Sequence, residues 1–334
     1  MILVVGGTGR LGNHIVRVLR SVGLDTRCLV RKGSEYFWLN DSGTAYFFGD
    51  LRDPQSLSRA MRDVQYLISC AGVRVEQTNN NHRTLAEGHL ALWEAAKARG
   101  VEHVVYVSCA AAADPQDVPA FTSKRTAEDA LVGSGLSYTI LRPGLFAANI
   151  ADLLRRVEYN GAAFLPGNPD TKITPIHGRD LALMAMAALD LPDVKNQIVD
   201  VGGPETMTVQ QAFEIGCQQA GLEPNFWRLP PAGLRALALA AQPLVKRWTN
   251  HFKALEVYYT RDQVVDGPAV AARFGIPLTP YADAVKEAWL TRHPSEDPIA
   301  RDEKVVHRQF VATIYEPGTV TWDSLPDGPP PRQD

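Results

Sequence analysis

The amino-acid sequence predicts an α/β fold, a doubly wound parallel sheet with helices on both faces and a smaller C-terminal α/β lobe. Two observations support this fold class. Apolar segments of strand length alternate with helical patterns from residue 2 to about residue 200, and a glycine-rich loop joins the first strand to the first helix. Strands separated by helices of about 10–15 residues pair in parallel through right-handed crossovers, which produces a doubly wound sheet.

The predicted elements follow from apolar spacing and from residues that begin or end helices. The predicted strands are Ile2–Val5, Thr26–Val30, Ala45–Phe48, Tyr66–Cys70, His103–Val107, Ser137–Leu141 and Ile198–Val201. The predicted helices among them are Leu11–Val22, a helix that begins at Pro54, His89–Arg99 and Phe121–Val132. Gly23 suits the end of the first helix because glycine adopts the left-handed backbone that often follows helices. Asp53 is a suitable cap for the helix that begins at Pro54.

The loop between the first strand and the first helix reads Gly6-Gly7-Thr8-Gly9-Arg10-Leu11-Gly12. Gly6 or Gly7 permits a tight turn, Gly9 lets the backbone approach a diphosphate, and Gly12 lets the helix pack closely on the sheet. The diphosphate then lies against free N–H groups at the positive end of the helix dipole. This context predicts a Rossmann-type dinucleotide-binding unit.

Residues near this loop indicate which dinucleotide is bound. NAD-preferring proteins place an acidic residue at the end of the second strand, where it bonds the ribose 2′-hydroxyl. Here Arg31 and Lys32 occupy that end, and Arg10 adds a cation inside the loop. A guanidinium binds a 2′-phosphate that a carboxylate would repel, so NADP(H) is favoured over NAD(H). The alternative is that Arg31 and Lys32 are simply a solvated surface pair.

Two further segments are predicted to contact the cofactor. Asp50 and Leu51 follow the third strand, where Asp50 is placed to accept a hydrogen bond from the adenine amino group. Cys70, Ala71 and Gly72 end the fourth strand with small residues, which leaves space for the cofactor to pass.

The domain organisation is predicted from where the alternating pattern weakens. Residues 1–150 form the NAD(P)-binding domain, to which a strand at 197–201 returns, and residues 151–317 form the C-terminal lobe for a substrate or a partner. Within that lobe, Thr208 and Gln211 form a capping box ahead of a helix over Gln210–Ala220. Residues 318–334, rich in Pro, Gly and Asp toward their end, are expected to form a flexible tail.

Composition excludes several classes of function. The chain has 34 Lys and Arg against 37 Asp and Glu, a net charge of −3, which provides no broad attraction to nucleic acid. Its four cysteines are Cys28, Cys70, Cys109 and Cys217. They lie far apart without a Cys-x-x-Cys pair or histidines at metal-ligand spacing, so they are interpreted as small core residues in a reducing compartment, and no metal site is predicted.

The sequence also predicts a cytoplasmic location. The first strand begins at Ile2 without a preceding cleavable leader, and no apolar run reaches the roughly 20 residues that span a bilayer. The longest candidate, Ala232–Val245, is interrupted by Arg235 and Gln242. It is interpreted as a buried or interface helix, with peripheral membrane contact or a partner surface as the alternative. The oligomeric state stays open.

Several segments together resemble the atypical short-chain dehydrogenase/reductase superfamily. They are GGTGRLG (6–12), VR (30–31), GDL (49–51), GVEHVVYVSC (100–109), Lys124 with Glu128, SGLSYTILRPGLF (134–146), ITPIHGRDLA (173–182) and VGGPETMT (201–208). The chain looks most similar to the NmrA-like group and to the related complex I accessory-subunit and photosystem II assembly-factor branches. The resemblance covers roughly residues 1–290 and is specific at the level of the superfamily.

The resemblance implies roles for residues near the nicotinamide. Residues Pro143, Gly144, Leu145 and Phe146 would pass beside the nicotinamide ring. Ser108 would lie near a substrate carbonyl, and Lys124 would bond the nicotinamide ribose, so both are the candidate catalytic residues. Ser108 and Pro143 also end strands at the sheet edge where doubly wound folds collect ligands.

The chain departs from the family at the usual general acid. Ordinary members carry Tyr four residues before the active-site Lys, whose charge lowers the phenol pKa. Here that position is Ala120, followed by Phe121, which has no hydroxyl. Three explanations stay open. Lys124 itself supplies the proton, another group such as Tyr159, His82 or His177 does so, or the cofactor is bound without catalysis. For His177 the favoured interpretation is packing at the sheet edge.

These observations leave two main functional hypotheses. The first is an NADPH-dependent oxidoreductase that reduces or isomerises a small apolar carbonyl or enone without the usual Tyr. The second is a non-catalytic NADP(H)-binding protein that assists assembly of a complex or senses redox state, for which Ala120 is an argument. A nucleotide-sugar epimerase ranks third because it also needs the Tyr. The expected partner is therefore a small molecule or a protein complex.

Overall fold

The central sheet is formed by short apolar strands whose side chains are buried on both faces in its middle. The computed structural model describes residues 1–72, 82–115, 118–241 and 246–291. Its strands are β1 (Ile2–Val5), β2 (Thr26–Val30), β3 (Ala45–Phe48), β4 (Tyr66–Ser69), β5 (His103–Val107), β6 (Tyr138–Pro143), β7 (Ala163–Pro166), β8 (Lys172–Ile173), β9 (Gln197–Val201), β10 (Met207–Thr208) and β11 (Phe226–Leu229). All residues of β1 and β5 are buried, as expected of central strands in a parallel sheet.

The sheet is parallel and doubly wound. Its order is β3-β2-β1-β4-β5-β6-β9, and each neighbouring pair is parallel. The chain proceeds from β1 to one edge, returns to the other side of β1 at β4, and then continues outward. This order confirms the predicted fold class, and it confirms that a strand at 197–201 joins the sheet.

The helices cover the sheet and extend into the C-terminal part of the chain. They are α1 (Arg10–Ser21), α2 (Phe37–Asp41), α3 (Pro54–Ala60), α4 (Gly88–Ala98), α5 (Pro119–Gly133), α6 (Ala147–Asn160), α7 (Gly178–Ala187), α8 (Val209–Ala220), α9 (Pro231–Ala241), α10 (Lys246–Thr260), α11 (Gly267–Phe274) and α12 (Tyr281–Leu290). A π-helical turn, His82–Glu87, precedes α4, and a 3₁₀ turn, Ala110–Ala113, follows β5.

Helices pack on both faces of the sheet. On one face α3, α4 and α5 bury Leu57, Trp93 and Leu131 against Leu3 and Tyr106 of the strands. On the other face α1 packs against α7. Side chains alternate between the two faces of a strand, so adjacent residues of β1 serve the two layers.

The C-terminal part has its own apolar core. Helices α6, α8 and α12 contribute Leu154, Phe213 and Tyr281 to one buried cluster. Strands β7 and β11 pair in parallel, and β8 and β10 pair in antiparallel. The predicted capping box before α8 is confirmed, because Gln211 N donates to Thr208 Oγ1 at 3.1 Å and Thr208 N donates to the Gln211 side chain at 2.8 Å.

Most predicted boundaries match within two residues, and the differences have local causes. Helix α5 begins at Pro119, two residues before its predicted start, because proline suits the first helical turn. Strand β6 continues to Pro143, whereas its predicted end was Leu141. Helix α2 was not predicted, since a five-residue helix has too short an apolar pattern.

Some predictions fall on residues outside this description. The predicted tail, 318–334, lies outside the described residues, as do 242–245 of the candidate interface segment. The rest of that segment forms α9, where Leu234 is buried and Leu239 is 68% exposed. The division into two domains and the cytoplasmic location stay predictions. Among the described helices, none combines the length and the hydropathy needed to cross a bilayer.

Candidate functional site

The strand order reverses beside β1, which defines the crevice where doubly wound sheets bind ligands. The loop after β1 and the loop after β4 approach each other closely there. Gly6 has a φ of 93°, and a Cβ on it would lie 2.7 Å from the Ala71 backbone nitrogen. Neither the left-handed backbone nor this space accepts a side chain. The glycine loop is therefore shaped by the fold at the expected ligand crevice.

The start of α1 suits an anion. A Cβ on Gly12 would lie only 2.0 Å from the Gly6 carbonyl oxygen, so the helix packs directly against the turn. The N-cap residue Gly9 offers no side-chain hydrogen bond, and the first turn contains no acidic residue. No capping side chain therefore occupies the amide groups of this first turn, and no carboxylate there repels an anion. This arrangement fits the diphosphate of a dinucleotide.

The two predicted phosphate-binding arginines differ in their surroundings. Arg10 pairs with Asp152 of α6 through two hydrogen bonds of 3.1 and 3.3 Å, and both side chains are about half exposed. Arg31, at the end of β2, is exposed and makes no salt bridge with any residue in the described ranges. Arg31 is thus the more available of the two cations.

Asp50 forms an ion pair with the neighbouring Arg52. The Arg52 guanidinium donates to both Asp50 carboxylate oxygens, at 2.9 and 2.6 Å, and holds the pKa of Asp50 below its usual range. Leu51 is buried in the apolar core, so only its backbone can face a ligand. The acidic Asp50 and the basic Arg52 lie two residues apart in the sequence, and this spacing was a possible signal of their ion pair.

The end of β4 supplies small, chemically quiet groups. Cys70 is half-buried, and its thiol donates to the Val5 carbonyl oxygen at 3.5 Å. Burial raises the pKa of Cys70 to about 12, so the thiol stays protonated at neutral pH. Ala71 is buried and Gly72 is exposed, and a Cβ on Gly72 would meet open space.

The two candidate catalytic residues, Ser108 and Lys124, both lie at the end of β5. Lys124 Nζ donates to the Val107 carbonyl oxygen at 3.0 Å and lies 5.2 Å from the centre of the Tyr106 ring. Burial lowers the pKa of Lys124, while Cys109 and Glu128 act in the opposite direction. A lowered pKa brings the ammonium nearer to useful acid–base chemistry.

Ser108 is 4% exposed and follows β5 directly. The hydroxyls of Ser108 and Tyr106 are buried, and neither makes a well-formed hydrogen bond with a described residue. Ser108 nevertheless lies close enough to Tyr106 to lower its pKa slightly, against the larger effect of burial. A buried hydroxyl without a good partner is costly, so this edge of β5 is suited to a polar ligand atom.

A buried ion pair between Glu128 and Arg142 stabilises the helix that carries Lys124. Arg142 of β6 donates from Nε to Glu128 Oε1 at 3.0 Å and from a second nitrogen to the other carboxylate oxygen. Glu128 is 1% exposed and the Arg142 side chain 12%. Because Glu128 is one helical turn after Lys124, this pair fixes the face of α5 that carries Lys124.

A pocket of about 290 Å³ opens beyond the ends of β5, β6 and β9. Its walls combine apolar, polar and charged residues: Ala110, Ala111, Val201 and Val257, then Gly144, Tyr258 and Gln263, and then Asp114, Asp200, Arg261 and Asp262. A Cβ on Gly144 would lie 3.1 Å from Gln263 Oε1. Pro143 and Leu145 are buried on either side of Gly144, and Phe146 is half-buried. The segment implied to pass beside the nicotinamide therefore contributes Gly144 to the wall of the pocket.

The alternative proton donors named from the sequence lie elsewhere. Tyr159 is 90% exposed. His177 lies at the start of α7, with Nε2 3.3 Å from Glu287 of α12 and its ring 5.6 Å from that of His14. The side chain of His82 lies outside the described part of the chain. A different phenol, Tyr258 of α10, lines the pocket, and nothing in the sequence around it indicated this role.

The comparisons with known proteins agree with this geometry. A model of the NmrA-like family matches residues 1–265. The chain belongs to the NmrA-like family. This membership confirms the resemblance to that group of atypical short-chain dehydrogenases/reductases.

Relatives of the chain carry different named activities. NAD(P)H azoreductase of Xenophilus azovorans is 31% identical over 208 residues, which cover 62% of this chain and 70% of that protein. Photosystem II assembly factor Ycf39 of Synechocystis sp. is 28% identical over 235 residues, covering 70% and 72%. Ceramide reductase of Caulobacter vibrioides is 27% identical over 256 residues, covering 75% and 78%. Two reductases and an assembly factor are thus similar to this chain.

Solved structures share the fold. The NADPH-dependent quinone oxidoreductase QOR2 of Escherichia coli, in complex with NADPH, has a TM-score of 0.68 at 23% identity, covering 85% of this chain and 98% of that one. Triphenylmethane reductase of Citrobacter sp., in complex with NADP(H), has a TM-score of 0.68 at 22% identity, covering 86% and 100%. At these identities the likeness confirms the fold.

Proposed function

We propose that this protein binds NADP(H) and reduces, or isomerises, a small apolar carbonyl or enone compound. One observation carries the proposal: the glycine loop and the pocket open at the same carboxyl edge of the sheet, with Ser108 and Lys124 at the end of β5 between the loops. The reductases among its relatives, one of them named for NAD(P)H, support the same reaction class.

The chain's own residues supply what a reduction needs besides the cofactor, which contributes a hydride when bound. The Ser108 hydroxyl orients the carbonyl oxygen, and the alanine and valine side chains of the pocket wall contact the apolar part of the substrate. The buried Ser108 hydroxyl interacts more strongly with the developing negative charge on that oxygen than an exposed hydroxyl would. Lys124, or another donor, provides the proton.

Cofactor preference is tested by reversing the charge at the end of β2. Arg31→Asp should weaken NADPH binding and leave NADH binding little changed, so that the larger rise in melting temperature moves from NADPH to NADH. The matched control is Arg62→Asp, the same charge change at an exposed arginine near the opposite edge of the sheet. Equal stabilisation of the unchanged protein by both nucleotides would contradict Arg31 as the selector.

Catalysis is tested by following oxidation of NADPH by absorbance with a panel of ketones, enones and quinones. The proposal expects turnover with at least one member of the panel and a large loss in Lys124→Ala. A Lys124→Ala variant that binds NADPH and turns over normally would remove Lys124 from the mechanism.

The second candidate function is a non-catalytic NADP(H)-binding protein that assists assembly or senses redox state. The observation that favours it is Ala120, which is 5% exposed and packed in an apolar cluster with Phe121, where ordinary members carry the phenol. Relatives named as photosystem II assembly factors also support a role in assembly. Tight NADPH binding with no oxidation across the panel would favour this second function.

A further inference from the structure

A phenol from a distant part of the chain lies beside the position where the usual Tyr is missing. We propose that Tyr258 of α10 is the proton donor of the reaction proposed above, on which this inference rests. The Tyr258 ring packs edge-on against Phe121, with centroids 5.1 Å apart and planes at 83°. Phe121 directly follows Ala120 in the sequence, so Tyr258 of α10 contacts the start of α5 next to the position of the missing Tyr.

Contacts hold Tyr258 at the pocket. The Gln263 side-chain amide donates to the Tyr258 backbone carbonyl at 2.7 Å, and the same side chain packs against Gly144. Arg261 pairs with Asp114 at 2.6 Å and joins the end of α10 to the segment after β5. Tyr258, Gln263 and Gly144 all line the pocket. Tyr258 therefore lines the same pocket as Gly144, a residue of the segment that is implied to pass beside the nicotinamide.

The Tyr258 hydroxyl is also connected to the end of β5. Tyr258 and Cys109 lie close enough to affect each other's pKa, and Cys109 directly follows Ser108. Lys124 in turn lies near enough to Cys109 for the two to affect each other's pKa. The hydroxyl thus lies near both Cys109 and Lys124, although Tyr258 is far from them in the sequence.

Tyr258 carries the proton that it would donate. Burial raises its pKa well above the ordinary value of a phenol, so the hydroxyl keeps its proton at neutral pH and cannot act as a base there. During reduction, hydride adds to the carbonyl carbon and the C=O π electrons move to oxygen. The Tyr258 O–H bond breaks and its proton passes to that oxygen, and the phenolate then recovers a proton from water.

The test compares two adjacent tyrosines of α10. Tyr258→Phe keeps the ring against Phe121 and removes only the hydroxyl, and Tyr259→Phe makes the same change at a residue buried in the C-terminal core. With the full chain, Tyr258→Phe should lower kcat about 100-fold for any carbonyl substrate found, while Tyr259→Phe retains kcat. NADPH affinity measured by calorimetry should be unchanged in both. A Tyr258→Phe kcat within twofold of the unchanged protein would overturn the proposal.

A binding measurement decides the role of Tyr258 without turnover. Acetophenone is titrated into the complex with NADP⁺, in which reduction cannot occur. A hydrogen bond from Tyr258 to the ketone oxygen should make binding about fivefold tighter than in Tyr258→Phe, with Tyr259→Phe unaffected. This difference would support Tyr258 even if the panel gave no turnover and the proposed function failed. Equal binding by all three proteins, or none by any, would overturn the inference.

A second variant covers the case in which Tyr258→Phe is unstable. Cys109→Ala removes the thiol beside the hydroxyl and leaves the phenol in place. The proposal expects turnover to fall by less than in Tyr258→Phe, with the alkaline limb of the kcat–pH profile displaced. An unchanged profile would contradict a proton donor beside Cys109.

Discussion

The phosphate loop and the reaction edge of the sheet are built in different ways. The loop acts through backbone groups of consecutive residues, Gly6 to Gly12, whose shape depends on the absence of side chains. The proposed reaction edge consists of side chains from three separate segments, Ser108 with Cys109, Lys124, and Tyr258. A backbone site can be recognised from local spacing, whereas a site of assembled side chains exists only after the fold forms.

The two regions also differ in how they are held in place. Glycine packing fixes the loop, while buried charged and titratable groups support the reaction edge. These groups include Glu128, Arg142 and His89. Mutations and changes of pH should therefore affect the two regions differently. Four predictions test this difference, from the largest expected effect to the smallest.

The largest effect is expected at the buried ion pair. Glu128→Ala leaves Arg142 without its carboxylate and should lower the free energy of unfolding by about 3–5 kcal/mol, because an uncompensated buried charge is costly. Urea unfolding monitored by circular dichroism measures this. The neighbouring exposed pair provides the control, since Asp129→Ala removes the partner of Arg125 at the surface and should cost less than about 1 kcal/mol. Similar losses in both variants would mean that the pair does not support the reaction edge.

Buried histidines should make stability depend on pH. Burial lowers the pKa of His89 to about 3 and that of His103 to about 4, whereas unfolded histidine titrates near ~6.5. Between these values the unfolded chain binds protons that the folded protein does not. The free energy of unfolding is therefore at its full value above about pH 6.5 and falls as pH decreases toward 4, by about 2 kcal/mol per histidine at pH 5.

The measurement is urea unfolding at pH 7 and at pH 5. His103→Asn removes a group that contacts Ser137 and Thr139 hydroxyls, at 2.8 and 3.0 Å, and should reduce the difference between the two pH values. His89→Asn should do the same at the Ser69 contact of 2.9 Å. The same pH dependence in both variants and in the unchanged protein would exclude these histidines as its source.

The features that the sequence predicted correctly are mostly local, like the glycine loop, and those that it missed mostly depend on assembled side chains. Strand β1, the glycine loop and the start of α3 were predicted because their signals are local: an apolar run, glycine spacing, and Asp53 before Pro54, whose cap is seen as a 3.1 Å hydrogen bond from Gln55. Sheet membership of 197–201 was also predicted, since its apolar pattern matches a parallel strand.

The remainder needed tertiary structure. The pairing of Arg10 with Asp152 and the position of Tyr258 depend on residues far apart in sequence, and no local pattern marks either. Arg52 was missed because its neighbour Asp50 was considered only as a ligand of adenine. Small strands such as β8, with two residues, carry too little periodicity to be recognised.

A third prediction tests the loop itself. Gly12→Ala places a methyl group where only 2.0 Å separates it from the Gly6 carbonyl oxygen, so the start of α1 must shift. NADPH affinity measured by calorimetry should fall roughly tenfold, about 1.4 kcal/mol. Gly133→Ala, at the end of α5, is the matched control because its Cβ would meet open space. Unchanged affinity in Gly12→Ala would show that close packing at Gly12 does not shape the loop.

The smallest effect is expected where a distant residue reaches the loop. Asp152 of α6 holds Arg10 and places a negative charge near the predicted diphosphate site. Asp152→Ala should release Arg10 for phosphate and raise NADPH affinity about two- to threefold, less than 1 kcal/mol, with a larger gain at low salt. Arg155 keeps its contacts with the Ala288 and Thr291 carbonyl oxygens, so α6 should stay in place.

A double-mutant cycle separates the two ways in which Asp152→Ala could act. If the gain comes from releasing Arg10, it should disappear in Arg10→Ala/Asp152→Ala compared with Arg10→Ala. If it comes only from removing a negative charge, the same gain should persist in the double variant. If the gain in affinity persists in the double variant, the loop binds through its backbone with no contribution from Arg10. If the gain is lost, Arg10 is an exception in the loop, because a residue far away in sequence determines whether its side chain is available to phosphate.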